Sequence, residues 1–336
     1  MAESTMLPTP SHPPSLLDHG LYPRWSIPLL VLLALLPTIA QALDEGFYIG
    51  VASRILVFAL AATSLNLILG FGGMVSFGHA AFVGVGAYAV GILMQEGIAS
   101  AWIAWPAAIA AGALFAFVIG LVSLRTQGVY FIMITLAFAQ MLFYLMVSIK
   151  AYGGEDGLSL ASRSQVGPWL DLADDARFYY CVLAICVLVF VGLARLLNAR
   201  FGHALQGIRE NETRMAALGF AVYRTKLAAF TLAGAIAGLA GALLANQAGF
   251  VSPAALQWSQ SGMLMVMVIL GGVGRLYGGF VGAVAFLLIE EVLAAHTMHW
   301  QFGLGAVLLA VVLVAPNGLL SLARADRAGR AKAGRP

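Results

Sequence analysis

Polar side chains able to contact a solute lie inside one apolar, glycine-crowded stretch of the sequence, residues 66–91. Asn66, Ser76 and His79 supply amide, hydroxyl and imidazole groups, which can bind a small polar molecule or a backbone group. None of them has the long stem that lets a lysine or an arginine reach water from within a membrane. They therefore either satisfy backbone groups freed where a helix is broken, or line a polar substrate path. The sequence leaves both alternatives open.

Glycines in the same stretch predict that break. Glycine adopts backbone conformations that other residues avoid and lets another backbone approach closely. The helix-break glycines are predicted to be Gly70, Gly72, Gly73 and Gly78. Small residues four apart predict helix-packing faces without substrate contact, at Gly234, Gly238 and Ala242 and again at Gly278 and Gly282.

No residue pattern indicates a catalytic, metal or cofactor site. The phosphate-binding pattern G-x-x-x-x-G-K-[ST] is absent. Gly272, Gly274 and Gly278 resemble a dinucleotide loop in spacing, but they lie between apolar segments and lack the strand and acidic residue of such a site. His296 and His299 can share a helix face but lack a complete ligand set. We expect no enzyme activity, no metal and no cofactor in this chain.

Arg54 is the basic residue that lies well inside a predicted membrane span. Its long stem allows the guanidinium to reach the headgroup region. Alternatively it forms a buried ion pair with Glu290 or Glu291, or acts at an outer vestibule, since intramembrane charges tend to face protein or water.

Composition places these residues in an all-α polytopic membrane protein. The chain has 336 residues, of which 61% are hydrophobic and 10% charged, and its mean hydropathy is +0.91. A soluble domain has roughly a quarter of its residues charged, and the long apolar runs indicate helices of about 20 residues. Ten spans are predicted, at residues 26–43, 48–69, 74–94, 102–124, 129–149, 178–198, 227–247, 260–273, 279–296 and 303–322. The eighth is short, so the expected count is eight to ten.

Charge distribution predicts that both termini lie in the cytoplasm, because lysine and arginine collect in cytoplasmic loops. With ten spans, 14 of the 18 basic residues fall on the inner side: Arg24, Arg125, Arg195, Arg200, Arg209, Arg214, Arg224, Lys226, Arg275, Arg324, Arg327, Arg330, Lys332 and Arg335. Residues 1–25 form a predicted disordered, proline-rich tail, and residues 323–336 a basic cytoplasmic tail that topology explains without nucleic acid. The predicted membrane domain is then 26–322.

Two connections are long. The outer one, residues 151–177, is predicted to form a partly structured cap. The inner one, residues 199–225, has an amphipathic helical pattern interrupted by Gly219, with Arg209, Glu210, Glu212 and Arg214 on other faces. Such helices lie on lipid headgroups or dock into a groove of another protein.

Four stretches resemble the branched-chain amino acid ABC transporter permeases, specifically the LivM-type subunit. They are residues 65–91 (LNLILGFGGMVSFGHAAFVGVGAYAVG), 125–142, 202–243 and 267–291. The resemblance implies an ABC importer permease bundle in a bacterial inner membrane. It also implies that the 199–225 loop docks on a separate ATPase, through residues matching the family's coupling motif at Glu212, Ala216, Ala217 and Gly219.

The same resemblance implies partners: a paralogous, LivH-like permease, two ATP-binding subunits that use the ATP, and a periplasmic solute-binding protein. The implied function is uptake of leucine, isoleucine or valine by alternating access. Two alternatives remain, a urea or short-amide permease of the same family, and a secondary transporter or channel that works without ATP.

Overall fold

The computed structural model describes residues 23–42, 46–167, 171–296, 298–315 and 318–320. The predicted tail at 1–22, the Pro168-Trp169 pair and the basic tail at 323–336 lie outside these residues. Residues 23–25, placed in the tail by sequence, belong to the first helix, which begins at Pro23. Proline suits the first turn of a helix because its missing N–H has no partner there.

Helices make up most of the described chain. The twelve α-helices are α1 (Pro23–Ala42), α2 (Phe47–Asn66), α3 (His79–Gln95), α4 (Ala101–Ser123), α5 (Val129–Ser148), α6 (Asp175–Asn198), α7 (Arg200–Glu210), α8 (Glu212–Ala217), α9 (Val222–Ala248), α10 (Trp258–Gly271), α11 (Gly278–His296) and α12 (Trp300–Val314). A π-helical turn at Leu67–Phe71 extends α2, and two short strands, β1 (Leu158–Ser159) and β2 (Phe250–Val251), pair antiparallel.

Each of the ten predicted spans coincides with a helix, and α7 and α8 lie in the predicted inner loop. Six helices in the described residues are long and apolar enough to cross a membrane: Phe47–Phe71, Ala101–Ser123, Val129–Ser148, Asp175–Asn198, Val222–Ala248 and Gly278–His296. The other four apolar helices, α1, α3, α10 and α12, contain shorter apolar stretches of 10–17 residues. The chain is therefore a polytopic helical membrane protein with six candidate membrane spans among the described residues.

Glycines allow the central helices to pack backbone against backbone. A Cβ on Gly238 of α9 would overlap the Ala108 carbonyl of α4, and one on Gly112 of α4 would lie 2.9 Å from the Gly238 Cα. A Cβ on Gly279 of α11 would lie 2.7 Å from the Thr63 nitrogen of α2. The predicted packing roles of Gly234, Gly238, Gly278 and Gly282 are confirmed, since a Cβ at each would meet a neighbouring backbone or side chain within 3 Å.

The connections gather at two opposite ends of the bundle. At the cap end, residues 149–167 and 171–174 lie beside 96–100 and 249–257: β1 pairs with β2, and the Gln165 N–H donates to the Ala99 carbonyl. At the coupling end, residues 72–78, 124–128, 199–221 and 272–277 lie together, as the contacts described below show. The connections assigned to each side by charge are therefore also neighbours in space.

A pair of tyrosines joins α1 to α6. Pro37 has no N–H to donate to the Leu33 carbonyl four residues earlier, and the Tyr179 hydroxyl of α6 donates to that carbonyl at 2.8 Å. The Tyr180 hydroxyl donates to the next carbonyl, that of Ala34, at 3.0 Å. Helix α1 is thus held to the bundle through two of its backbone carbonyls, one of which its own proline leaves free.

Candidate functional site: the helix break and the coupling end

The candidate site centres on the interruption between α2 and α3. Regular α2 ends at Asn66 and a π-helical turn follows, after which residues 72–78 are irregular until α3 begins at His79. Gly73 has φ +68°, which a residue with a Cβ rarely adopts. A Cβ on Gly78 would lie 2.5 Å from the Thr135 carbonyl of α5, so only glycine fits there without displacement.

Asn66 connects this break to the turn between α10 and α11. Its side-chain oxygen accepts from the Gly274 N–H at 3.0 Å, and its amide nitrogen donates to the Arg275 carbonyl at 2.7 Å. Asn66 is 1% exposed. Gly70 lies so close to Gly274 that a Cβ on Gly70 would overlap it. Two interrupted helices therefore meet through one amide and two glycines.

Ser76 and His79 also bond within the protein. The Ser76 hydroxyl accepts from the Gly78 N–H at 3.3 Å, as a serine in a tight turn does. His79 Nε2 lies 2.8 Å from Ser64 Oγ, and that hydroxyl donates to the Ala61 carbonyl at 2.7 Å. The Ser64 hydroxyl thus bridges the Ala61 carbonyl and the imidazole of His79. The Nδ1 atom of that imidazole is buried without a hydrogen-bond partner among the described residues.

Arg209 of α7 reaches into the same junction. Its guanidinium donates to the Gly70 carbonyl, which belongs to the π-helical turn. The aliphatic stem passes Gly73, where a Cβ would lie 3.0 Å from Arg209 Cγ. A Cβ on Gly274 would lie 2.9 Å from a terminal nitrogen of Arg209. The α7 side chain thus contacts the α2–α3 break and the α10–α11 turn together.

Local hydrogen bonds shape the rest of the coupling segment, residues 199–221. The Asn211 side chain caps α8 by accepting from the Arg214 N–H at 2.8 Å. At the other end of α8, Phe220 N–H donates to the Met215 carbonyl and Gly219 N–H to that of Ala216. This is a Schellman motif with Gly219 at φ +85°.

The tip of the coupling segment is apolar and exposed. Leu218 is 67% exposed and Phe220 is 46% exposed, and Ala216 and Ala217 are exposed beside them. Large apolar side chains at the end of a polar segment mark a contact surface. The tip projects away from the bundle, because a Cβ on Gly219 would meet nothing within 4 Å.

Glu212 is tied to the bundle. It accepts hydrogen bonds from Lys226 Nζ of α9 and from Gln127 Nε2, the latter at 3.1 Å. These residues border a cavity of about 240 Å³ between the α2–α3 break and the coupling segment, lined further by Thr126, Phe131 and Arg209. Asn66, Ser76 and His79 do not line this cavity.

The predicted residues therefore form two groups. Asn66, Gly70, Gly73 and Arg209 lie in one junction, whereas Ala216, Ala217 and Gly219 lie at the exposed tip. Glu210 is exposed at the end of α7. Sequence reasoning missed Gly274, Lys226 and Gln127, whereas Leu218 and Phe220 are apolar positions of the amphipathic pattern predicted for residues 199–225. The G-x-G pattern at 272–274 is the signal for Gly274 in the sequence, but its spacing alone does not specify a contact with α2.

Of the three alternatives for Arg54, the structure favours the ion pair with a glutamate of α11. Arg54 of α2 lies 3.1 Å from the Glu290 carboxylate of α11, with side chains 39% and 13% exposed. The guanidinium also lies 5.8 Å from the centre of the Phe58 ring. One Glu290 oxygen takes this bond and the other is buried without a partner among the described residues.

Comparison with known proteins gives one family match. The family described as "Branched-chain amino acid transport system / permease component" matches residues 47–315. These residues include the helix break, the coupling segment and the α10–α11 turn.

Three relatives illustrate the similarity. The high-affinity branched-chain amino acid transport system permease protein LivM of Salmonella typhimurium is 28% identical over 310 residues, covering 84% of this chain and 73% of the relative. LivM of Escherichia coli is 27% identical over 299 residues, covering 82% and 70%. LivH of Salmonella typhimurium is 24% identical over 281 residues, covering 78% and 91%. No solved structure matches the chain.

Proposed function

The chain belongs to the family of permease components of branched-chain amino acid transport systems, and we propose on that basis that it carries leucine, isoleucine and valine through the membrane as one permease subunit of an ATP-driven importer. The observation that carries the mechanism is the Arg209 contact with Gly70 and Gly274, which links the coupling segment to both helix interruptions.

Separate ATPase subunits are proposed to dock on the coupling segment. Leu218 and Phe220 provide an apolar anchor at its tip, which fits insertion into a groove of a partner protein. Glu212, Lys226 and Gln127 hold the base of the segment to α9 and to the 124–128 connection. ATP would bind to the partners, since this sequence contains no phosphate-binding loop.

Alternating access is the proposed mechanism, and the way these parts are joined supports it. When the ATPase subunits move, a docked tip moves with them, and α7 carries Arg209. Because Arg209 contacts both the π-helical turn and the Gly274 turn, its displacement acts on α2 and α3 and on α10 and α11 together. Broken helices suit this role, since short connections absorb backbone rotation that an intact helix resists.

The polar residues of the break are assigned different tasks. Asn66 and Ser76 stabilise backbone at the interruption, as their hydrogen bonds favour. Nδ1 of His79 has no hydrogen-bond partner among the described residues, and His79 is the residue proposed to lie next to the substrate path. For His79→Ala, lost transport with normal complex assembly supports a role at the path, whereas lost assembly supports a packing role.

The proposed topology has ten spans with both termini in the cytoplasm, in a bacterial inner membrane. The coupling end carries Arg125, Arg200, Arg214, Arg224 and Arg275, as cytoplasmic loops do. The cap end would then face the periplasm and a solute-binding protein. A paralogous LivH-like permease would complete the pathway.

Reconstitution with defined solutes tests this function. The co-purified complex is placed in liposomes, and ATP hydrolysis and uptake are measured with valine, leucine and urea, each presented with the cognate binding protein. Stimulation by valine and leucine supports the proposal. Stimulation by urea alone would establish the first alternative, a urea or short-amide permease.

The second alternative, transport without ATP, is tested by removing the ATPase subunits. Deleting both genes should abolish uptake, and truncating the Leu218 and Phe220 side chains should release the ATPase subunits during purification. Uptake that survives the deletion would favour a secondary transporter or channel and exclude the ABC mechanism.

A further inference from the structure

An open groove of about 650 Å³ runs along α6 beside α1. Its α6 wall is one stripe of residues at helical spacing, from Tyr180 to Arg195, and α1 contributes Leu30. With a rise of about 1.5 Å per residue the stripe is about 22 Å long, which exceeds the ~15 Å of one hydrocarbon leaflet. Ala184 and Gly192 keep the groove open, and a Cβ on Gly192 would meet nothing within 4 Å.

The two ends of the groove differ in chemistry. One end lies at the tyrosine contact, where the Tyr180 hydroxyl donates to the Ala34 carbonyl. The other end is marked by Arg195, in the last turn of α6 and exposed. The lining residues include no carboxylate, and no hydrogen bond or ion pair of the Arg195 guanidinium occurs within the described part of the chain. An apolar channel that ends at a cation matches an amphiphile with an anionic head.

We propose that this groove binds one anionic phospholipid, with an acyl chain along the α6 stripe and the phosphate at Arg195. A membrane helix of another subunit fits the groove less well, because covering the exposed Arg195 costs desolvation of its charge and the groove supplies no carboxylate to pair with it. Arg195 lies at the coupling end of α6, the end assigned to the cytoplasm, where the leaflet is rich in anionic lipid.

The lipid has a structural task at α1. The principal packing partners of α1 are α6 and α2, and its hydrogen bonds to α6 come from Tyr179 and Tyr180. Between that contact and Arg195 the groove separates α1 from the α6 stripe. An acyl chain fills this space and completes the contact between the two helices.

Lipid retention is the readout. The full chain is purified with its partner subunits in detergent, and native mass spectrometry measures bound phosphatidylglycerol and phosphatidylcholine of identical acyl chains. The wild type should prefer phosphatidylglycerol. Arg195→Gln should weaken phosphatidylglycerol binding about fivefold and leave phosphatidylcholine unchanged. Gly192→Leu should reduce retention of both lipids by filling the groove.

Matched controls keep the test specific. Arg125→Gln removes an exposed arginine at the same end of the bundle, and Gly305→Leu adds a side chain at another open helical glycine of α12, where a Cβ also meets nothing within 4 Å. Neither should change lipid binding. Arg195 is exposed, so Arg195→Gln should fold normally, and the readout does not depend on transport.

Three outcomes would overturn the proposal. The first is an unchanged preference for phosphatidylglycerol in Arg195→Gln. The second concerns thermal unfolding of the wild type. If inorganic phosphate alone stabilises the protein as much as phosphatidylglycerol does, Arg195 is a simple anion site. The third is cross-linking of Gly192→Cys to the second permease subunit, with the native Cys181 and Cys186 replaced, because protein would then occupy the groove.

Discussion

The side-chain oxygen of Asn66 accepts a hydrogen bond from the Gly274 N–H at 3.0 Å, so a residue at the end of α2 holds the turn between α10 and α11. The amide nitrogen completes the link by donating to the Arg275 carbonyl. Both backbone groups lie beside a side chain that is almost fully buried. Water cannot easily replace either bond.

Replacing this amide should therefore be costly. Asn66→Leu takes the acceptor from the Gly274 N–H and removes one of the two hydrogen bonds to the Arg275 carbonyl, which keeps its bond from the Gly278 N–H. We expect it to destabilise the protein by about 2–4 kcal/mol. Asn66→Asp keeps the acceptor and loses the donor, and it adds a buried charge. Thermal unfolding in detergent measures both. Ser148→Ala is the control, because that exposed hydroxyl bonds only within its own helix; equal losses in Asn66→Leu and Ser148→Ala would contradict the link.

Arg209 should matter for coupling more than for folding. Its bond to the Gly70 carbonyl joins a charged group to a backbone oxygen, an interaction worth about 1.5–3 kcal/mol. In Arg209→Gln we expect about tenfold less substrate transported per ATP hydrolysed, with ATPase subunits still bound. Arg209→Lys should rescue little, since an ammonium lacks the forked donors of guanidinium.

The control for Arg209 is Arg200→Gln, at the exposed start of the same helix. It should transport normally. Uptake and phosphate release, measured together in the same proteoliposomes, give the amount of substrate transported per ATP hydrolysed. If Arg209→Gln retains the wild-type ratio of substrate to ATP, Arg209 is not part of the transmission.

The effect of a substitution at Gly219 should depend on how well the new residue adopts the backbone conformation of this position, and not on side-chain size alone. Its φ of +85° costs a residue with a Cβ about 1–2 kcal/mol. Asparagine tolerates this conformation better than valine, and there is open space around the position. Gly219→Asn should therefore keep ATPase binding and uptake, while Gly219→Val should lose both, as co-purification and uptake assays will determine. Equal activity of the two variants would argue against the Schellman motif as the requirement.

Glycines of the helix break should differ from a glycine further along α3. A Cβ on Gly78 or Gly72 meets a backbone carbonyl, that of Thr135 at 2.5 Å or of Ile68 at 2.8 Å. A Cβ on Gly91 meets Leu158 Cδ2, the end of a side chain that can move. Gly72→Leu and Gly78→Leu should impair assembly or transport more than Gly91→Leu. Yield of folded protein by size-exclusion chromatography and uptake measure this, and equal, negligible effects would show that the glycines are interchangeable.

The Arg54–Glu290 pair can be tested by a double-mutant cycle. Each single change, Arg54→Gln or Glu290→Gln, leaves one charge in the span without its partner. The double change should destabilise the protein less than the sum of the singles, with a coupling energy of about 0.5–3 kcal/mol. Additive losses in thermal unfolding would mean that the two residues contribute independently. Glu291→Gln is the adjacent control.

Sequence reasoning located the elements well where hydrophobicity determines them. Apolar runs predicted a helix at every position where the ten apolar helices occur, and the glycine-rich stretch predicted the interruption near Gly72 and Gly73. Those signals are local, because a membrane helix satisfies its own backbone groups. At the interruption the predicted and observed helix boundaries differ by several residues, because α3 begins at His79 and the predicted span begins at residue 74.

Partners across long sequence separations could not be predicted in the same way. Asn66 and Gly274 are 208 residues apart, and nothing in either local sequence specifies the other. Glu290 was named as one of two possible partners of Arg54, and only the packing of α11 against α2 selects it. The anchor role of Leu218 and Phe220 depends on exposure, which an apolar residue in a sequence does not reveal.

The cap at residues 151–167 also sets an order for biosynthesis. Arg163 donates to the Asn246 carbonyl, 83 residues further along the chain, and β1 pairs with a strand that follows α9. At about 5–20 residues per second, the ribosome needs roughly 4–17 s to make the distance between them. During that interval residues 151–167 have been synthesised and their partner strand has not, so completion of the cap is a late event that requires α9 to be in place.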